Sequence, residues 1–322
     1  MRRWLLGFVL LLAGLNVATP QAWAQAFPTK PIKAVVPFSA GSAVDIVARV
    51  VLEQVATQIG QPIVVENRVG AGGTLAVGFV AKSDPDGYTL LVHSTTHVVS
   101  ASIYSNPGYD VRKDFAAITA LASLPNVLTV PPNKYKTLKD LVDAGKAKPG
   151  EMNYASAGAG SGAHLNAERF LAAAGFKAQH VPFKGGPEAL TDIMTDRVQF
   201  YFVPLPPARG LYAGGKIGIL AVSGTKRSSA LAEIPTTVEA GFPNSDYNFW
   251  IGMYAPGGTP KAIVDRLNAE TVKALQTATV KEKLANVGGD PLPMTPAEFT
   301  DFTNKELEIN AALVKAIGVK IN

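Results

Sequence analysis

Short runs rich in Val and Ile alternate along this chain with stretches whose apolar residues recur at helical spacing. That alternation predicts α/β layers built around parallel sheets. Ile32 to Val36 reads as the first strand. Val44, Val47, Val50, Val51 and Val55 then share one helical face, and Gly60 with Pro62 supplies the stop. Ile63-Val64-Val65 is a second strand, Asn67 to Gly73 a Gly-rich loop, and a helix follows to about Lys82. Asp84-Pro85-Asp86-Gly87 is a turn that leads into a strand over Tyr88 to His93. After Ala117 to Leu121 a second unit begins, with strands at Val127 to Val130, Asn153 to Ala155 and Val198 to Phe202. Helices are expected from Thr137, whose Thr137-Leu138-Lys139-Asp140 start is a capping pattern, and over His164 to Ala174. Ile217 to Val222 carries the chain back toward the first unit. Trp250 to Ala255 is a strand, Pro260 to Gln276 a helix, and Thr295-Pro296-Ala297-Glu298 a capping box that opens a last long helix.

The first 24 residues fall outside this pattern and read as an export signal. Arg2 and Arg3 precede an apolar run from Trp4 to Leu15 that is too short to span a bilayer, and Ala22-Trp23-Ala24 fits the cleavage pattern. Cleavage there leaves 298 of the 322 residues and lowers the formal charge from +5 to +3. A mildly basic chain with no Lys/Arg run is suited to steering small anions and excludes nucleic-acid binding. With no cysteine, disulfides, thiolate catalysis and cysteine metal sites are excluded, and at 47% hydrophobic the fold is held by its core. A monomer with no cofactor and no metal is expected.

Candidate chemistry concentrates at three junctions where a strand gives way to small or hydroxyl residues and then a helix: Ser39 to Ser42, Ser94 to His97, and Ser156 to Ser161. Ligands of open α/β sheets bind at that edge, and unpaired N–H groups of a helix start favour anions. Asp45, just inside the first helix, stabilises its own turn. Gly158-Ala159-Gly160-Ser161-Gly162-Ala163 formally fits G-x-G-x-x-A, but no acidic residue ends the next strand to hold a ribose. The glycines of Asn67 to Gly73 serve close backbone packing. Ser161 does not sit in a G-x-S-x-G elbow, and His93, His97, His164 and His180 lack metal spacing. His164 either donates to an anion or packs its own loop; Lys184 either attracts a carboxylate or stays solvated.

These residues resemble the Bug family, the solute receptors of tripartite tricarboxylate transporters. The matching segments are Phe27 to Ile32, Val36 to Gly41 with Asp45, Glu66 to Gly73, Asp84 to Leu91, Tyr109-Asp110, Gly158 to Ser161 with His164-Leu165, Val181 to Gly185, Pro235-Thr236 and Pro256 to Pro260. The resemblance implies a periplasmic, two-domain flytrap whose domains are mixed, mostly parallel sheets flanked by helices. It implies a first domain over 25–123 and 225–322, and a second over 124–224. It also implies a ligand carboxylate held, partly through water, at Phe38, Ser39, Ala40, Gly41 and Ser42. Ser94, Thr95 and Thr96 lie in the same domain. Ala157, Gly158, Ala159, Gly160, Ser161, His164, Phe183 and Lys184 face them from the second. Three departures from the family pattern involve four residues: Ser42 replaces a Gly, Phe183 a Tyr, and Val203-Pro204 an Asp-Asn pair. Losing that carboxylate disfavours amino-acid ligands and leaves an apolar wall. The function implied is capture of a small aliphatic or aromatic carboxylate, a dicarboxylate being expected, and delivery to membrane permease subunits without catalysis. An exported α/β hydrolase and a ligand sensor for a signalling partner are the alternatives.

Overall fold

A computed structural model describes residues 27–318, so the expected signal at 1–24 lies outside the described residues. Two sheets organise the chain. The first contains β1 (Ile32–Val36), β2 (Ile63–Asn67), β3 (Thr89–Ser94), β4 (Phe115–Leu124), β10 (Phe249–Pro256) and β11 (Asp290–Pro291), in the order β11-β4-β10-β3-β1-β2. The second contains β5 (Asn126–Val130), β6 (Asn153–Ser156), β7 (Gln179–Pro182), β8 (Phe200–Pro204) and β9 (Gly218–Val222), in the order β7-β6-β8-β5-β9.

Both sheets are mixed, and most strands of each run one way: β1 to β4 in the first sheet and β6 to β9 in the second, against β10, β11 and β5. β1 pairs in parallel with β2 and β3, and β6 with β7 and β8; every pairing made by β10, β11 and β5 is antiparallel. The reason is the path of the chain. Only Pro125 separates β4 from β5, so the chain passes directly from one sheet to the other and enters the second at the edge where β8 ends, with Asn126 opposite Pro204. On its return β10 enters the first sheet at the edge where β3 and β4 end, with Phe249 opposite Leu124 and Ile251 opposite Ser94. A strand that starts where its neighbours finish must run against them.

The helices are α1 (Ala43–Ile59), α2 (Thr74–Ala81), α3 (Thr96–Ile103), α4 (Leu138–Ala147), α5 (Gly162–Ala174), α6 (Gly186–Met194), α7 (Leu205–Ala213), α8 (Lys261–Gln276), α9 (Ala278–Asn286) and α10 (Pro296–Ile317). The capping boxes expected at Thr137 and Thr295 form, with Asp140 and Glu298 reaching back to the cap N–H. Helices α6, α7 and α9 are additions to the elements expected from periodicity. Each sheet is covered on both faces. In β1, Ala34 and Val36 join one apolar cluster with Val44, Val47, Val51 and Val55 of α1, while Val35 joins the cluster on the opposite face. Two further clusters flank the second sheet. Leu231 and Ile234 lie inside one of these, and Ala240 and Phe242 pack against the other, so the segment after β9 stays with the second sheet until Tyr247 joins a cluster of the first.

Candidate functional site

The carboxyl ends of β1, β3, β6 and β8 and the first residues of β5 and β10 converge between the two lobes, and helices α1, α3, α5, α6 and α7 all begin there. The first junction is held by Asp45. Its carboxylate accepts from the Gly41 N–H (3.0 Å), the Arg49 Nε (3.0 Å) and the Asn67 Nδ2 (2.9 Å), and Asn67 also donates to the Phe38 carbonyl (2.9 Å). Burial pushes the Asp45 pKa up, but the hydrogen bonds from Arg49, Gly41 and Asn67 and the Arg49 charge outweigh it and hold the group below its usual range. Asp45 is therefore a brace for the loop. Ser42 caps α1, accepting from the Asp45 N–H.

The second junction meets the third across the lobes. The Ser94 and Thr96 hydroxyls lie 3.2 Å apart, and the Gly162 N–H of α5 donates to the Thr96 hydroxyl (2.9 Å). Tyr247 donates to the Thr95 hydroxyl (3.2 Å). In the third junction Ser156 lies 2.6 Å from Nε2 of His180 and also donates to the Gly158 carbonyl, while the Gly160 N–H donates to Nδ1 of His164 (3.2 Å). His164 and His180 stack with ring centres 4.0 Å apart. Burial, aided for His164 by its neighbour, lowers the pKa of His164 to about 3, and burial lowers His180 to about 4. His164 thus packs its own loop.

The lobes touch through backbone. A Cβ on Gly72 would lie 2.1 Å from the Ala159 carbonyl oxygen, and one on Gly185 would lie 2.1 Å from the Ser39 hydroxyl. The Tyr104 hydroxyl donates toward the carbonyls of Ala159 (2.8 Å) and Ala71 (3.2 Å), and Ser39 donates to Glu188 (3.1 Å). This is the geometry of a closed cleft.

Inside it lies a narrow cavity of about 40 Å³. Ser42, Ser94, Thr96 and Ser161 line it, and Phe38, Ala157, Val203 and Pro204 complete the predicted residues that do so. Ala43, Val44, Ala163, Gly186, Tyr201, Pro207 and Phe249 also line it, and sequence reasoning missed them; Tyr201 stands two residues before Val203, on the same strand face. No charged side chain is among the described lining residues. The other predicted residues surround it. Gly158, Ala159, Phe183 and Lys184 line a neighbouring open groove, Lys184 being exposed, while Ser39, Ala40, Gly41, Thr95, Gly160 and His164 shape the loops.

The sequence profile described as "Tripartite tricarboxylate transporter family receptor" matches residues 47–319. The chain belongs to this receptor family. Relatives include the "UPF0065 protein in tcbD-tcbE intergenic region" of Pseudomonas sp. strain P51, 36% identical over 92% of this chain and 91% of that one. Protein BugT of Bordetella pertussis is 32% identical over 100% of this chain and 99% of its own length. Among solved structures, Rpa4515 of R. palustris with adipate superposes with a TM-score of 0.88 at 31% identity, covering 91% of this chain and 99% of that one. MatC of Rhodopseudomonas palustris with bound malate gives 0.85 at 30% identity, covering 89% and 100%. The two-lobed receptor fold follows, and this Bug-type receptor is a solute-binding protein rather than an enzyme.

Proposed function

We propose that this receptor works in the periplasm, captures a small organic carboxylate by closing its lobes and delivers it to the permease subunits of a tripartite tricarboxylate-type transporter. The lobe boundaries that suit this motion are 27–124 with about 247–318 for the first, and 125–246 for the second. They move the expected crossing at 225 because Leu231 and Ile234 pack in the second lobe. Export would follow cleavage after Ala24, which a mass measurement of the periplasmic protein tests.

One observation carries the reading. The cavity at the lobe contact has no charged side chain among its described lining residues, yet Ser and Thr residues and helix starts border it. The first N–H groups of a helix have no intrahelical acceptor, and the dipole end favours negative charge. Ser42, Ala43 and Val44 at the start of α1 and Ser161 at the start of α5 bring two such ends to one small space, with Ser94 and Thr96 between them. That arrangement suits a carboxylate of the class that relatives bind with adipate and malate. No nucleophile and base stand together among the described residues of the cavity wall.

Thermal denaturation against a panel of carboxylates and their methyl esters tests this. Ligand at 100 times its Kd stabilises by about 2.7 kcal/mol, a rise of several degrees. The acid of at least one pair is expected to stabilise and its ester not. Equal stabilisation by acid and ester, or by none of the panel, would overturn the proposal.

A further inference from the structure

The cavity's two walls differ in chemistry. We infer that the second wall selects a carboxylate carrying an uncharged hydrogen-bonding group, a hydroxyl or carbonyl, at its far end, and that the Tyr201 phenol is the specificity-determining residue that reads it. This rests on the receptor reading above and assigns the other end of the same site.

Tyr201 is buried on β8 and lines the cavity, yet its hydroxyl has no hydrogen-bond partner among the described residues. Buried tyrosine hydroxyls normally find a partner. The other fully buried tyrosines of this chain do: Tyr154 donates to Glu168, Tyr247 to Thr95, and Tyr254 pairs with Thr303. Burial, with the nearby Glu188 charge, pushes the Tyr201 pKa up, so the phenol keeps its proton and offers both a donor and an acceptor.

Around it the wall has almost nothing else to offer. Val203 and Pro204 are apolar in their contacts with the cavity. Helix α7 starts here but provides no seat for an anion: the Leu205 N–H is taken by the Pro125 carbonyl (2.9 Å), and Pro206 and Pro207 have no N–H. Gly186 adds one N–H at the start of α6, where the Glu188 carboxylate already sits in the first turn. A second carboxylate finds no cation and has Glu188 nearby. An ammonium finds no carboxylate on the wall to replace its water. A hydroxyl or carbonyl pairs with Tyr201 and needs no counter-charge. The dicarboxylate expected from the sequence gives way to this class.

The test is calorimetric titration of the mature wild-type receptor and Tyr201→Phe with two matched series. One is butyrate, gamma-hydroxybutyrate, succinate and gamma-aminobutyrate; the other is benzoate, para-hydroxybenzoate and terephthalate. In one series the wild type should bind the hydroxy acid about 10-fold more tightly than the parent acid, the diacid or the amino acid. Tyr201→Phe should reduce the advantage over the parent acid to within about 2-fold and leave the parent acid's affinity unchanged. A diacid or amino acid that binds best, a hydroxyl preference that survives in Tyr201→Phe, or an equal loss for all acids in the variant would each overturn the inference while leaving the receptor reading intact. Failure of every acid to bind the wild type would overturn both.

Discussion

In the closing motion proposed above, the two lobes meet at a backbone contact that a single methyl group blocks. Gly72 of the first lobe has φ +62° and faces Ala159 of the second, where an added Cβ would lie 2.1 Å from the carbonyl oxygen. Carbon and oxygen approach no nearer than about 3.3 Å in ordinary contacts, so the lobes of Gly72→Ala must part there by about 1 Å. Two effects are mixed in this variant. The left-handed backbone costs an alanine about 1 kcal/mol in either lobe position, which is a stability effect. The clash exists only when the lobes meet, which is a binding effect. Gly60→Ala separates them, because Gly60 has φ +69° at the end of α1 and nothing within 4 Å of its added Cβ. Both variants should melt about 2–4 °C lower than wild type. For a carboxylate that the wild type binds, calorimetry should show at least about a 10-fold loss in Gly72→Ala, equivalent to 1.4 kcal/mol, and none in Gly60→Ala. Equal affinities for the two variants would refute the argument that this contact forms part of the liganded state.

Asp45→Asn should cost about 1–3 kcal/mol at pH 7 in urea denaturation, because three donors lose an ionised acceptor. The folded-state pKa of Asp45 lies below 3.8, so its contribution is present above that pH and fades as pH falls through the folded value; the gap between variant and wild type should narrow toward pH 3. Burial lowers His97 and His164 from 6.5 to about 3, so between pH 6 and 4 the unfolded chain takes up protons that the folded chain refuses. Each should steepen the loss of stability by about 1.4 kcal/mol per pH unit, and His97→Phe, which places an apolar ring among Tyr109, Phe115 and Tyr254, should remove one such increment; an unchanged slope would refute it. Val203→Asp puts a carboxylate on the cavity wall and should weaken a bound non-amino carboxylate at least about 10-fold in calorimetry, while improving the ratio of aspartate to succinate.

The part of the site that is local in sequence can be read from it. Hydroxyl or small residues between a strand and a helix are visible in Ser42, Thr96 and Ser161, and all three line the cavity. What depends on the return of the chain is not visible. Strand direction in each sheet follows from where the chain crosses, and only Pro125 marks the first crossing locally. Tyr201 hides because β8 is buried on both faces, with Phe200 and Phe202 filling one core and Tyr201 and Val203 facing the other side. An all-apolar run gives no clue to which face meets a ligand. Of the glycines in Asn67 to Gly73, Gly72 serves close backbone packing, but against the opposite lobe, whereas Gly70 and Gly73 meet Leu75, Pro37 and His93 of their own lobe.

This distribution separates two properties of the receptor. The proposed closure rests on small residues: Gly72 and Gly158 meet backbone across the cleft, and Gly185 meets the Ser39 hydroxyl, so almost any added side chain would intrude. The chemistry of the far wall rests on Tyr201 and Val203 of β8, which take no part in those contacts, whereas the start of α7 also meets the first lobe, with Leu205 facing Gly288 and Arg209 donating to the Ala285 and Asn286 carbonyls. Substitution on β8 can therefore alter which carboxylate fits without altering how the lobes meet. The departure from an Asp-Asn pair that Val203-Pro204 makes, on the family resemblance, falls on β8 at the far wall, and so a changed ligand is its expected consequence rather than a weakened receptor.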